Sequence, residues 1–337
     1  MPPLLSMPSS AASELPTIAD VRAAAERLKG LVVTTPLLES PLLNARLRGR
    51  LLVKAETLQR TGSFKLRGAL NAMLPLDASQ RRAGVVAYSS GNHAQGVAAA
   101  ARMLGIPAVI VMPADAPAIK IDNTRAYGAE IVLFDRQREN REAIGRGIAE
   151  ERGATLIPPY DDARIIGGQG TVGLELAAQA EALGAALDAV VVPVGGGGLI
   201  AGCALALAAE SPATEVYGAE PAAFDDLRRS LEAGERRGND PAARSICDAL
   251  QAPMPGELTF AIHRRLLAGS LAVSDDEVLA AMATGFAELK LVIEPGGAAA
   301  LAAVLAGKLA IQGRTIAVVA SGGNVDRAVF MRAIGGG

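Results

Sequence analysis

Tryptophan is missing from the 337 residues, and tyrosine and phenylalanine number only 4 and 6. The core must therefore be built from Ala, Val, Leu and Ile, and with half the residues apolar a disordered chain is excluded. Cysteine is also scarce. Cys203 and Cys247 cannot frame a disulfide-stapled fold, and a reduced, cytoplasmic protein is the expectation. Neither histidine, His93 or His263, has a Cys, His or carboxylate neighbour at zinc-like spacing, so His93 reads as a polar residue at a helix start and His263 as a surface residue. Excess charge is lacking too: 33 basic residues against 35 acidic ones leave a net charge of -2, which gives nucleic acid or anionic lipid no electrostatic footprint. One uncharged run, Ala189–Ala209, is long enough to span a bilayer, but Pro193 and Gly195–Gly198 interrupt it. It reads as a strand, a glycine loop and an Ala-rich helix. No Lys or Arg occurs in the first fifteen residues, which fit neither a secretory leader nor a transit peptide and read as a frayed arm.

What is present is alternation. Short Val/Ile runs exchange with Ala-rich helical stretches, the mark of parallel sheets covered by helices. The pattern predicts helices over 17–30, 92–104, 117–127, 136–152 and 170–183, and another from Leu199. Strands are predicted over 85–90, 108–113, 130–134, 154–157, 189–194, 215–219 and 315–320. The length suits two open parallel-sheet domains: a large one from 1–83 with 162–337, and a small mobile one over 84–161.

Three strand ends run into small or polar residues: Ser89-Ser90-Gly91-Asn92-His93, Gly195–Gly198, and Ser321-Gly322-Gly323-Asn324. Ligands of open α/β sheets bind beyond the carboxyl ends of strands, where helix N-termini offer free N–H groups. Four consecutive glycines let the backbone approach an anion such as a phosphate with no Cβ in the way. Two rival readings use the same segments. Gly196, Gly198 and Ala201 match a dinucleotide fingerprint, with Glu220 placed for a ribose hydroxyl, which would make an NAD-linked oxidoreductase. Ala87–Gly91 with His263 mimics a hydrolase elbow, but the first elbow glycine is missing.

Ser63-Phe64-Lys65-Leu66-Arg67-Gly68-Ala69 changes the weighing. Together with the serine turn, the tetraglycine and Ser321–Asn324, in that order, it resembles the threonine/serine dehydratase family. These are fold-type II enzymes, tryptophan synthase beta-like, that use pyridoxal 5′-phosphate (PLP), and serine racemases are among the relatives. The resemblance runs from about Thr34 to Asp326.

The resemblance implies a role for each matching residue. Lys65 would carry the cofactor covalently and act as base at Cα, with Phe64 along the pyridine ring. Gly195, Gly196, Gly197, Gly198 and Leu199 would hold the phosphate, Asn92 the ring hydroxyl oxygen, and Ser321 the pyridine nitrogen. Ser89, Ser90, Asn92 and His93 would hold the substrate carboxylate, and in a racemase Ser90 would be the acid/base opposite Lys65. Glu220, Phe224 and Asp226 match the family's divalent-cation site, expected to take Mg²⁺ where used. Two features depart from the family. Cys247-Asp248-Ala249 replaces an Ala-Asp-Gly, and Tyr160 stands where racemases have asparagine.

The expected activity is that of an ammonia-lyase converting L-threonine, L-serine or a related β-hydroxy amino acid to a 2-oxo acid and ammonia, in a homodimer or homotetramer. The alternatives are a serine or aspartate-type racemase and a β-hydroxyaspartate dehydratase, the last with a basic residue such as Arg138 for the second carboxylate.

Overall fold

In the computed structural model the described residues are 15–335 except 90, 117, 136 and 137. The frayed arm expected at the start, Leu15 apart, lies outside them. Ten strands occur among the described residues: β1 (Leu37–Glu39), β2 (Arg50–Ala55), β3 (Val85–Tyr88), β4 (Ala108–Pro113), β5 (Glu130–Phe134), β6 (Thr155–Leu156), β7 (Ala189–Pro193), β8 (Glu215–Pro221), β9 (Gly269–Val273) and β10 (Thr315–Ala320). They form a six-stranded sheet in the order β1-β2-β10-β7-β8-β9 and a four-stranded sheet in the order β5-β4-β3-β6. Every pairing is parallel except β1 with β2. The central strands β7 and β10 are near-continuous Ala/Val/Ile runs because helices cover both of their faces. No helix among the described residues is long and apolar enough to cross a membrane.

Three strands were not legible in the sequence. The first, β2, hides behind Lys54, which reads as a surface residue yet is 0% exposed. Its Nζ donates to the Thr35 carbonyl at 2.6 Å, Glu175 at 2.6 Å and Gln179 at 2.9 Å. The other two, β1 and β9, are short, half-covered edges of the sheet.

A second difference concerns the helix predicted from Gly170. It begins at Ala163, capped by the Asp162 carboxylate, and continues to Ala182. Gly167, Gly168, Gly170 and Gly173 look like helix breakers. Here they are contact points: a Cβ on Gly168 would lie 2.7 Å from Gly68 Cα, and one on Gly170 would lie 2.8 Å from the Gly202 carbonyl. Glycine costs some helix stability and in return lets three helices pack backbone to backbone. A third difference is the charged helix, which begins at Arg141 rather than 136 because Asn140 caps it, accepting from Glu142 N and Ala143 N.

Candidate active site

The carboxyl ends of β3, β7 and β10 converge on one pocket, the crevice where parallel sheets place their ligands. Phe64, Lys65, Ser89, Asn92, His93, Gly195–Gly198, Leu199 and Ser321 all line it. Ser90, expected beside them, lies outside the described residues. Glu220, Phe224 and Asp226 are not part of this lining.

Lys65 is the first residue of the helix Lys65–Met73, and the loop before it is zipped to the end of β10. Phe64 N donates to Ser321 O at 3.1 Å, Ser63 bridges Gly322, and Gly323 N donates to Gly62 O at 2.8 Å. Two segments from opposite ends of the chain are therefore fixed in register. The Lys65 ammonium donates to the Pro159 carbonyl at 2.7 Å and sits 5.2 Å from the Phe64 ring centroid. Burial pulls its pKa down to about 8, so an appreciable fraction is free amine near neutrality. Two residues further on, Arg67 is wholly buried and tied to Glu56 at 2.8 Å and Glu175 at 2.6 Å. The sequence motif held Arg67 but did not show that it anchors the lysine helix.

Asn92 opens the helix Asn92–Leu104. Its amide donates to Glu294 at 2.5 Å and accepts from Asn324 at 2.8 Å. Glu294 is buried, and desolvation with Asp248 nearby raises its pKa to about 7. His93 Nε2 meets the Ile157 carbonyl at 2.9 Å, so Nε2 carries the proton and Nδ1, which has no partner among the described residues, is bare. Burial, with Lys65 close by, holds its pKa near 3. The ring stays neutral, and what His93 can offer an anion is its main-chain N–H at the helix start.

The glycine loop links β7 to the helix Gly198–Glu210. Among the described residues no acceptor takes the N–H groups of Gly195, Gly196 or Gly197. Gly197 has φ +91°, and Cβ atoms have no room: one on Gly196 would fall 2.2 Å from the Tyr160 ring. Tyr160, the departure seen in the sequence, covers the loop. His263 was expected at the surface, but it is 0% exposed, packed behind Gly197.

Arg138 does not reach the pocket. It is 86% exposed and lies 3.6 Å from Asp135. The basic residues in the lining are Arg141 and Lys120, besides Lys65 itself. Lys120 is paired with Asp248, whereas Arg141 makes no hydrogen bond or ion pair among the described residues; its guanidinium carbon rests 5.8 Å from the Tyr88 ring centroid.

The expected cation residues lie at the end of β8 and just after it. Glu220 accepts from Leu227 N, Arg228 N and Ser270 at 2.8, 3.0 and 2.7 Å, and Asp226 accepts from Asn239 at 2.6 Å. Burial, reinforced for Glu220 by Asp226, raises their pKa values to about 8 and about 6. Asp226 Oδ2 is buried without a partner among the described residues. Two desolvated carboxylates with a bare oxygen fit a cation, although no group of three or more His, Cys, Asp or Glu gathers among the described residues.

The family model for pyridoxal-phosphate dependent enzymes matches residues 28–322. The chain belongs to that family. An L-threo-3-hydroxyaspartate ammonia-lyase of Pseudomonas sp is 47% identical over 93% of this chain and 97% of its own. Among solved structures, a threonine deaminase from T.th. superposes with a TM-score of 0.87 at 48% identity, covering 92% of this chain and 99% of that one. Maize serine racemase superposes at 0.89 with 39% identity over 95% and 97%. A PLP-dependent ammonia-lyase is what these likenesses support, and the oxidoreductase and hydrolase readings fall away. The pocket itself fits the cofactor: free N–H groups line a loop where Gly196 and Gly197 leave no room for a Cβ, and a primary amine of lowered pKa lines the same pocket.

Proposed function

We propose that this PLP-dependent ammonia-lyase acts on a 3-hydroxyaspartate, releasing oxaloacetate and ammonia, with Arg141 taking the second carboxylate. The observation that carries this reading is the unpaired guanidinium in the pocket lining. A partly buried arginine without a carboxylate partner is costly unless a ligand supplies one, and its planar fork matches a carboxylate. Tyr88 holds the guanidinium by its face and leaves its N–H edges available. The first turn of the helix Arg141–Arg152 adds the positive end of its dipole. Threonine and serine offer nothing to pair with this group. The name of the Pseudomonas relative agrees with the reading.

PLP, when bound, supplies the electron sink that makes Cα acidic. Lys65 would hold it and take the Cα proton. The main-chain N–H groups of Gly195–Gly198 would bind its phosphate, Leu199 continuing the cradle, and Ser321 would face the ring nitrogen. A neutral hydroxyl there gives no reason for that nitrogen to stay protonated, which favours loss of the Cβ hydroxyl over longer-lived carbanion chemistry. Ser89, with the N–H groups at the start of the Asn92 helix, would hold the α-carboxylate. Asn92 is engaged at both ends of its amide, so its reach to the ring hydroxyl would require giving up Glu294 or Asn324. Glu220, Phe224 and Asp226 would share a divalent cation.

A substrate panel tests this reading. The purified holoenzyme is given L-threo-3-hydroxyaspartate, L-threonine and L-serine, and both oxo acid and D-enantiomer are scored. The expected result is kcat/KM for hydroxyaspartate at least ~30-fold above the other two, the span of one buried charge pair. Equal turnover of threonine would overturn the substrate, and D-serine as the main product would favour the racemase.

A further inference from the structure

Tetraglycine is the least self-determined segment a chain can have. Without Cβ atoms each peptide plane rotates freely, and a flipped plane would aim a carbonyl, not an N–H, at an anion. Something must hold the planes. We propose that Thr259 and His263 are the positioning residues that lock the phosphate loop from behind, so that its N–H groups face the cofactor. This inference rests on the family's cofactor and not on which amino acid is the substrate.

The two residues lie four apart on the helix Glu257–Leu266, hence on one face. Thr259 Oγ1 donates to the Gly196 carbonyl at 2.9 Å, and His263 Nε2 donates to the Gly197 carbonyl at 3.1 Å. Those carbonyls belong to the peptide planes that carry the N–H groups of Gly197 and Gly198. Pinning each oxygen toward this helix turns the corresponding N–H the opposite way. Gly196 O has no other donor among the described residues, whereas Gly197 O also accepts the first helical bond, from Ala201 N at 2.9 Å. Thr259 should therefore matter more than His263. The His263 ring also lies close against the loop, since a Cβ on Gly197 would be 2.3 Å from its Cε1. Complete burial holds the pKa of His263 near 4, so it remains a neutral single donor at working pH.

The pair is itself held in place. Asp161 accepts from the N–H groups of Glu257, Leu258 and Thr259 at 2.8, 3.0 and 3.1 Å, capping the helix that carries both donors. Its neighbour Tyr160 lies over Gly196 in the pocket. Residues 160 and 161 thus clamp the glycine loop between a ring on one side and a capped helix on the other.

The test is PLP titration of the apoenzyme together with the phosphorus resonance of the bound cofactor, in Thr259→Val, Thr259→Ser and His263→Phe. Removing the hydroxyl from a buried carbonyl should raise the cofactor dissociation constant roughly tenfold in Thr259→Val and shift the phosphorus resonance. Thr259→Ser keeps the donor and should stay within about twofold of the parent. His263→Phe should fall between them, near threefold, because Ala201 N still serves its carbonyl. Wild-type affinity and resonance in Thr259→Val, or equal losses in the valine and serine variants, would overturn the proposal. If His263→Phe does not fold, the two Thr259 variants decide it.

Discussion

At the end of the pocket proposed for the phosphate the protein presents four glycines, backed by Tyr160 and the helix Glu257–Leu266. At the end proposed for the substrate it presents side chains, Ser89, Lys120 and Arg141, which follow three different strands of the smaller sheet, β3, β4 and β5. The first end suits a ligand that never changes. The second can change specificity by replacing one residue on one loop while the cofactor end stays intact. The comparison teaches that the two functions are physically separable, and it is open to attack from either side.

The largest effect should come from Lys65, proposed to hold the cofactor and to take the substrate's Cα proton. Lys65→Ala should lower turnover by a factor on the order of 10⁴ or more and abolish borohydride-fixed attachment of PLP, checked by peptide mapping. Attachment of PLP to the apoenzyme should speed up with pH through about 8, where the buried amine loses its proton, rather than near the ordinary lysine value of 10.5. The pH profile of the attachment rate, followed by absorbance, measures this. Beneath the cofactor end, Arg67→Met would leave Glu56 and Glu175 without their shared counter-charge. It should destabilise the fold by about 3–5 kcal/mol in urea unfolding, with loss of bound PLP following from that.

Smaller effects sharpen the separation. Gly197→Ala would set its Cβ against His263 at a φ of +91°, so PLP affinity should drop roughly tenfold while substrate preference is unchanged. The smallest lies away from the pocket. Glu220 keeps its proton in the fold up to about pH 8, against an ordinary value of 4.5. Between those values the unfolded state has released a proton that the folded state still holds, so this group's contribution falls as pH rises. A divalent cation should reverse the loss. Mg²⁺ should therefore raise Tm more at pH 8 than at pH 5, and no difference would remove the cation from Glu220 and Asp226.

The same division explains what the sequence revealed. The end proposed for the cofactor draws on contiguous runs, Ser63–Ala69, Gly195–Gly198 and Ser321–Asn324, so local order and spacing pointed to residues that the structure gathers around one pocket. Strands were legible where an apolar run stood out between helical stretches, and β2, with the buried but charged Lys54 near its end, was missed. The substrate end joins residues from different loops by geometry alone. Arg138 and Arg141 are equally basic in sequence, and only the structure shows that Arg138 is exposed while Arg141, the first residue after the Asn140 cap, lines the pocket. Thr259 and His263 carried no motif at all, since an i, i+4 pair of polar residues is commonplace until the loop behind which they sit is known.

The sharpest experiment is Arg141→Met, with kcat/KM and the PLP dissociation constant measured on the same protein. For 3-hydroxyaspartate kcat/KM should fall roughly 30- to 1000-fold, the cost of removing one partner of a close charge pair, while threonine turnover and PLP affinity stay within about twofold. A matching loss for threonine, or a comparable loss of cofactor affinity, would contradict it.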